Sequence, residues 1–377
     1  MKVRLTSPRS RMAEILILGG YGNFGKRISA ALARHNVSIV IAGRDAARGT
    51  VLAAQLRAEF PNALVKSTTL DAERDLASYL ETAKPTVVIN TCGPFQNKDY
   101  IVANICIHHK VHYIDLADGR NFVGGIFSLN HKAKEAGVCV ISGASTVPGL
   151  SSAVLEHYKN EFSQIDELVF GISPGQKAER GLATTAGILS YLGKRLKPIQ
   201  GDPKARYGWQ DIYRQTYPGI GKRWMANCDI PDLDLFPPLY KIQKIRFSAG
   251  MENTFLHLSI WGLSWLVRLG VPLNLANHAR PLLKMSHWFD RLGSDAGGMH
   301  VIIRGKTYDS KTYTRRWFIV AREGDGPQIP CVPAILLAKK LVEGAPFSPG
   351  AKPCIGLISL QDYLDELSHF SITTYEC

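Results

Sequence analysis

At 377 residues the chain exceeds what one hydrophobic core usually serves, so two domains are expected. A hydrophobic share of 45% against 20% charged residues excludes a disordered chain, and 34 Gly with 20 Pro imply many turns. Lys and Arg outnumber Asp and Glu by 45 to 32, a formal +13 whose field attracts anions. Because these cations are scattered and not interleaved with aromatics on one element, they argue against a nucleic-acid partner and leave a small-molecule substrate as the expected one.

The opening MKVRLTSPRSRM is basic but lacks the apolar run of a secretory signal, so residues 1–12 are expected to form a flexible arm. From residue 13 short β-branched runs alternate with helical patterns. Strands are predicted at 14–18, 38–42, 64–69, 86–91, 112–116 and 138–142, with helices at 25–34, 46–60, 73–83, 99–109 and 122–136. That alternation predicts an α/β fold, a doubly wound parallel (Rossmann) sheet, over 13–162.

Beyond about Ile165 the loops lengthen, and β-like runs at 168–172, 244–247, 300–303 and 317–321 predict a second domain over 163–330. Its expected class is mixed α/β (α+β). Within it, 255–285 is apolar enough to resemble a membrane segment. Arg268, Pro272, Asn274 and Asn277 interrupt it before the roughly 20 apolar residues that a span requires. A helical hairpin is expected instead, serving as core, as subunit interface or as an amphipathic peripheral contact with a membrane surface. The last segment, 331–377, carries a helical pattern at 333–343 that is expected to return to the first domain. The seven cysteines are odd in number, widely spaced and without a CxxC pair, the usage of reduced thiols in a cytoplasmic protein.

The first strand runs straight into GGYGNFG. Gly20, Gly22 and Gly25 stand in GxGxxG spacing with Gly19 before them, in the strand-to-helix context that gives this motif its meaning. Such glycines let the backbone turn tightly against a pyrophosphate, and the free N–H groups at the helix start, on a loop completed by Asn23 and Phe24, attract it. Folds of this kind that bind NAD usually carry a carboxylate at the end of the second strand. Here Gly43 stands in that place and Arg44 follows, a planar donor suited to a 2′-phosphate, which predicts NADP(H). Asp45 reads as the N-cap of the next helix. Asp71, after the third strand, is open to two readings, a contact with the adenine edge or a helix cap. Cys92, Gly93, Pro94 and Phe95 follow the fourth strand at the carboxyl edge of the sheet, where a ligand crevice opens; nicotinamide ribose contact and a plain turn are the two readings there.

GGYGNFG, GRD (43–45), NTCGPF (90–95), HYIDLADG (112–119) and VPGLSS (147–152) together resemble the saccharopine dehydrogenase-like, or saccharopine reductase, family with its NADP-binding domain. The resemblance covers about residues 13–155 and thins beyond. Later stretches, ERGLATTAGILSYLGK, GKRW and REGDGPQIPC, resemble a bacterial subgroup of unassigned substrate. The resemblance implies a Rossmann domain interrupted by an α/β substrate domain, NADP(H) as hydride carrier, a homodimer, and hydride transfer to or from a C–N (imine or secondary amine) or carbonyl substrate. Many relatives carry Gly-Glu where this chain has Gly119 and Arg120. An acid is lost and a cation gained, which argues against carrying over the amino-acid or polyamine substrates of relatives; the substrate is expected to be anionic.

Tyr113, Asp115 and Asp118, near or at the end of the fifth strand, are the candidates for chemistry. Asp115 would orient an amine or relay a proton with Tyr113 as a neutral donor; the equally weighted alternative is a capping carboxylate and a packed tyrosine. His108 and His109 are adjacent on a helix and point about 100° apart, so with His112 they are not expected to bind a metal. Glu179, Arg180, Arg223, Arg315 and Arg316 are set to clamp a substrate carboxylate or to form surface ion pairs. No GxSxG, SxxK or Cys–His signature suggests a covalent nucleophile. The sequence therefore predicts an NADP-dependent oxidoreductase, with a non-enzymatic, nucleotide-dependent binding or membrane-surface protein as the alternative.

Overall fold

The computed structural model describes residues 13–377; the expected arm at 1–12 lies outside the described residues. The first strands are β1 (Glu14–Leu18), β2 (Ser38–Gly43), β3 (Val65–Thr69), β4 (Val87–Asn90), β5 (His112–Asp115) and β6 (Cys139–Ser142). The chain then forms β7 (Gln164–Ser173), β8 (Tyr213–Tyr217), β9 (Gly221–Asn227), β10 (Lys244–Met251), β11 (Gly297–Lys306) and β12 (Thr312–Ala321), and closes with β13 (Gly350–Pro353) and β14 (Ile372–Glu376).

One seven-stranded sheet has the order β13-β6-β5-β4-β1-β2-β3, with every pairing parallel. Without β13, that is the strand order of a complete doubly wound dinucleotide fold. Its central strands β1, β2 and β4 are nearly continuous apolar runs because both faces are covered, whereas the edge strand β3, VKSTT, is partly exposed. Along β1, Ile15 and Ile17 enter one core and Leu16 and Leu18 the other, as the strand's period of two requires.

The second sheet runs β14-β12-β11-β7-β10-β9-β8 and is mixed, with β7 and β10 parallel and the other pairs antiparallel. The predicted cores of β7, β10, β11 and β12 lie inside longer strands. The hairpin β8–β9 and the short strands β13 and β14 have no counterpart among the sequence predictions. The helix predicted at 122–136 is broken into Arg120–Gly125, a 3₁₀ turn Ile126–Leu129 and Asn130–Ala136; Gly124 and Gly125 interrupt it, as poor helix formers do.

Helix Val332–Val342 is buried at nearly every position from Val332 to Ala338, and it packs against β1, β4 and β5. One contiguous core joins Ile15 and Ile17 of the parallel sheet, Ile335 and Leu337 of this helix, and Phe170, Val301 and Trp317 of the second sheet. β13 and β14 then bind the last residues to one sheet each. The stretch 255–285 forms helix Thr254–Arg268, a 3₁₀ turn Leu275–His278 and helix Ala279–His287. No helix among the described residues is long and apolar enough to cross a membrane.

Candidate functional site

The glycine turn between β1 and helix Asn23–Arg34 is latched to β2: Gly19 N and Gly20 N both donate to Ala42 O, at 2.9 and 3.1 Å. Gly19 has φ +72°, a region that favours glycine. A Cβ on Gly25 would stand 2.1 Å from Gly19 O, so only glycine lets the helix start press this closely on the turn. Gly22 is the N-cap; no side chain caps the helix, and no acid lies in its first turn. The amides of Asn23, Phe24 and Gly25 therefore open outward as an anion-binding end. The Phe24 ring packs on the core. The Asn23 side chain is engaged, accepting from Arg27 at 2.5 Å and donating to Glu179 O at 3.3 Å, which leaves its backbone N–H as the group without a partner in the helix.

At the end of β2, a Cβ on Gly43 would stand 2.5 Å from ring atoms of Tyr21. The tyrosine from the glycine turn thus fills the space where a ribose-binding acid would begin. Its hydroxyl accepts from Asp45 N at 2.7 Å. The Arg48 guanidinium lies 4.8 Å from the Tyr21 ring centroid and donates to Tyr21 O at 3.2 Å. Asp45 caps helix Ala46–Glu59 through Arg48 N. Arg44 is exposed and engages no acid in an ion pair among the described residues. Asp71 turns its carboxylate into its own loop, accepting from Glu73 N at 3.1 Å and Arg74 N at 3.2 Å; the Glu73 amide, with Arg74 and Arg44 nearby, holds it below the usual carboxylate range. Sequence reasoning missed Tyr21 and Arg48, although an arginine three residues after a helix N-cap beside Arg44 is a signal for a second phosphate-facing cation.

After β4, Cys92 N donates to Asn90 Oδ1 at 3.0 Å, and Asn90 Nδ2 donates to Tyr113 Oη at 3.2 Å. Cys92 is exposed at the rim, while the protein packed around its sulfur pushes the thiol up to about 11, so it stays protonated at neutral pH. Gly93 adjoins Ala183 of helix Leu182–Ser190 from the second domain; the Gly93–Pro94 bond is cis. Phe95 is buried with Ala117, Phe122 and Val123 and supports the loop from beneath. Tyr113 is 1% exposed and Asp115 is fully buried. Asp115 Oδ1 accepts from Ala117 N, Ser142 Oγ and Gly143 N, each at 2.9 Å, and burial raises its carboxyl to about 6. Both residues thus lie beneath the crevice.

Asp118 lies between the domains. Its Oδ1 accepts from Gln96 Nε2 at 2.9 Å, and Gln96 itself abuts Gly187 of the second domain's helix. Burial raises the Asp118 carboxyl above its ordinary value. It is half-buried, in contrast to Asp115. Segment 179–181 reaches across to the glycine turn, where Glu179 pairs with Lys26 at 2.8 Å and Arg27 at 3.1 Å.

Three of the second domain's four candidate arginines are occupied. Arg180 pairs with Asp290, Arg223 with Glu252 at 3.1 Å and Arg315 with Glu161 at 2.7 Å; Arg316 is exposed. Arg120, the cation gained, is not free in the cleft: its side chain is 2% exposed and pairs with Asp229 at 2.8 Å and Asp234 at 2.5 Å. It also donates to the carbonyls of Lys197 and Pro198. His108 and His109 meet edge to face, His112 Nδ1 accepts from Cys139 N, and no cluster of potential metal ligands occurs among the described residues.

A parallel sheet in this strand order, with an open helix start behind a glycine turn and an unpaired guanidinium at the end of β2, defines a dinucleotide-binding α/β protein. Residues 15–141 match the family model described as Saccharopine dehydrogenase NADP binding domain. The chain carries that domain, and NADP(H) is its cofactor. No curated protein matches the chain. Among solved structures, apo saccharopine dehydrogenase (L-Glu forming) from Saccharomyces cerevisiae superposes with a TM-score of 0.65 at 14% identity, covering 97% of this chain and 100% of that one; at that identity the two share the fold. Two others overlap only in part. A short chain oxidoreductase from Pseudomonas aeruginosa gives a TM-score of 0.30 at 14% identity over 34% of this chain and 68% of its own. A short-chain dehydrogenase from Sphingobium yanoikuyae in complex with NADPH gives 0.29 at 19% identity over 34% and 69%.

Proposed function

We propose that the protein is an NADP(H)-dependent oxidoreductase acting on a C–N bond (imine or secondary amine) or a carbonyl group. The observation that carries this reading is the uncapped start of helix Asn23–Arg34, facing a crevice closed on its other side by helix Leu182–Ser190 of the second domain. The amides of Asn23, Phe24 and Gly25 hold the pyrophosphate, and Arg44, with Arg48 beside it, receives the 2′-phosphate. Bound NADP(H) supplies or accepts the hydride. Tyr113, through Asn90, fixes the Cys92 amide, and Asp115 ties the ends of β5 and β6 together beneath the loops. Asp118, half-buried and kept protonated to a higher pH than an ordinary aspartate, gives or takes a proton at the substrate nitrogen or oxygen, oriented by Gln96. Arg120, Arg180, Arg223 and Arg315 already face acids, so a substrate carboxylate must compete with these partners or turn to another cation. A cytoplasmic location, supported by seven free thiols, and a homodimer complete the proposal.

The test is NADPH oxidation by the purified chain across carbonyls and amine-plus-keto-acid pairs, each with and without a substrate carboxylate. Turnover of one class supports the reading, and silence across the panel with NADPH bound contradicts it. Asp118→Asn is expected to lower kcat by about 10²-fold or more and flatten the pH profile while leaving NADPH affinity unchanged. An unaltered kcat removes Asp118 from the proton path. A second reading, a non-enzymatic nucleotide-dependent protein at a membrane surface, draws on the apolar hairpin of the second domain; panel-wide silence together with vesicle binding would favour it.

A further inference from the structure

The stretch from residue 254 to 292 holds nine of the sixteen large apolar side chains that stand exposed among the described residues. The concentration is too high to be ordinary surface scatter. Its inner side is anchored to the rest of the second domain: Leu275 and Ala279 are buried against Leu189, Leu192 and Trp209, and the hairpin's two arms meet where the Phe255 and Phe289 rings stack at 5.7 Å. The outer side is free. On helix Thr254–Arg268, Phe255 and Leu266 lie on one face, and Leu269, 75% exposed, follows at the tip.

On the returning arm of the hairpin, Arg280, Lys284 and Met285 lie on helix Ala279–His287 and Trp288, Arg291 and Leu292 follow it, and all six are exposed. Trp288 and Leu292 are 76% and 72% exposed. The one acid here, Asp290, is already held by Arg180 and His287. Arg280, Lys284 and Arg291 therefore have no acidic partner among the described residues.

An apolar face interleaved with unpaired cations, two of its largest anchors being tryptophan and leucine, has the chemistry of an element lying in the plane of a bilayer interface. A self-pairing surface would instead bring these cations against one another. We propose that the outer face of the 254–292 hairpin docks on an anionic lipid surface. Leu269, Trp288 and Leu292 lie below the headgroups, while Arg280, Lys284 and Arg291 lie at the level of the phosphates. No helix here is built to cross, so the contact is peripheral and reversible. The inner side of the hairpin rests on helix Leu182–Ser190, so docking sets the crevice near the lipid surface.

The test is flotation of the full-length protein with vesicles of phosphatidylcholine alone or mixed with phosphatidylglycerol, at low and high salt. Binding to the anionic vesicles that weakens in high salt is expected. The double variant Leu269→Asp, Trp288→Asp is expected to bind at least about tenfold more weakly, and Arg280→Glu with Lys284→Glu about tenfold more weakly to anionic vesicles only. NADPH affinity should be unchanged in both variants, which shows that they are folded and separates this outcome from the fate of the oxidoreductase reading. Absence of flotation at low salt overturns the proposal, as does unaltered binding by both variants. If the parent ignores vesicles and Leu269→Asp, Trp288→Asp converts a dimer to a monomer in sedimentation velocity, the face is an interface between copies and the proposal fails.

Discussion

Asp232 shows how a single buried group shapes the behaviour of the fold. It is fully buried, accepts from Ser151 through one oxygen, leaves the other without a partner, and is pushed by burial to about 7 from 3.8. A carboxyl whose folded value is raised binds its proton more tightly in the native state, so native stability falls as pH rises from about 4 through about 7 and is then level. Asp232→Asn, whose carbonyl oxygen keeps the Ser151 bond, is expected to be more stable than the parent above that range by up to about 3 kcal/mol, with the two converging in acid. Urea unfolding across pH checks this; a constant difference at all pH values would contradict it. At this scale the cofactor end was legible because its logic is local. Glycines at fixed spacing after a strand and a cation in place of an acid are written in consecutive residues. The Tyr21 ring over Gly43 and the Asn90–Tyr113 bond join residues 22 and 23 positions apart, and no local pattern encodes them.

Elements divide in the same way. The strands β1, β2 and β4 were readable because a parallel sheet covered on both faces demands nearly unbroken apolar runs, and β3, β5 and β6 because short β-branched runs alternate there with helical patterns. The hairpin β8–β9 is half-solvated and carries charges, while β13 reads GAKP and β14 ITTYE, so each lacks the apolar pattern that announces a strand. The same blindness to distant partners affected Arg120. Its sequence position predicted a cation in the cleft, but helix Asp232–Tyr240 and the turn before it bring Asp234 and Asp229 onto it, making it a staple between domains. Arg120→Ala would leave Asp229 and Asp234, each about a quarter exposed, facing each other with Lys197 as the remaining cation, and a cost of about 3 kcal/mol is expected. Chemical denaturation measures it; a change below about 0.5 kcal/mol would mean that the bridge contributes little.

For the whole molecule, the decisive feature is the return of the chain's last segment. Helix Val332–Val342 joins both sheets into one core, and β13 and β14 lock a strand into each. The two sheets are therefore expected to unfold in a single calorimetric transition, with van't Hoff and calorimetric enthalpies in agreement; two resolved transitions would show that the domains are independent. Around that rigid frame the crevice is fixed on the Rossmann side and covered by segment 179–190 from the other domain. The account rests on the glycine turn and Arg44 gripping a 2′-phosphorylated dinucleotide. Titration of the parent and of Arg44→Asp with NADPH and with NADH tests it most directly. The parent is expected to prefer NADPH, and the variant to lose about tenfold or more of NADPH affinity, as removal of a charge-assisted contact implies, while NADH binding holds. Equal affinity of both proteins for both nucleotides, or no binding of either, would contradict the account.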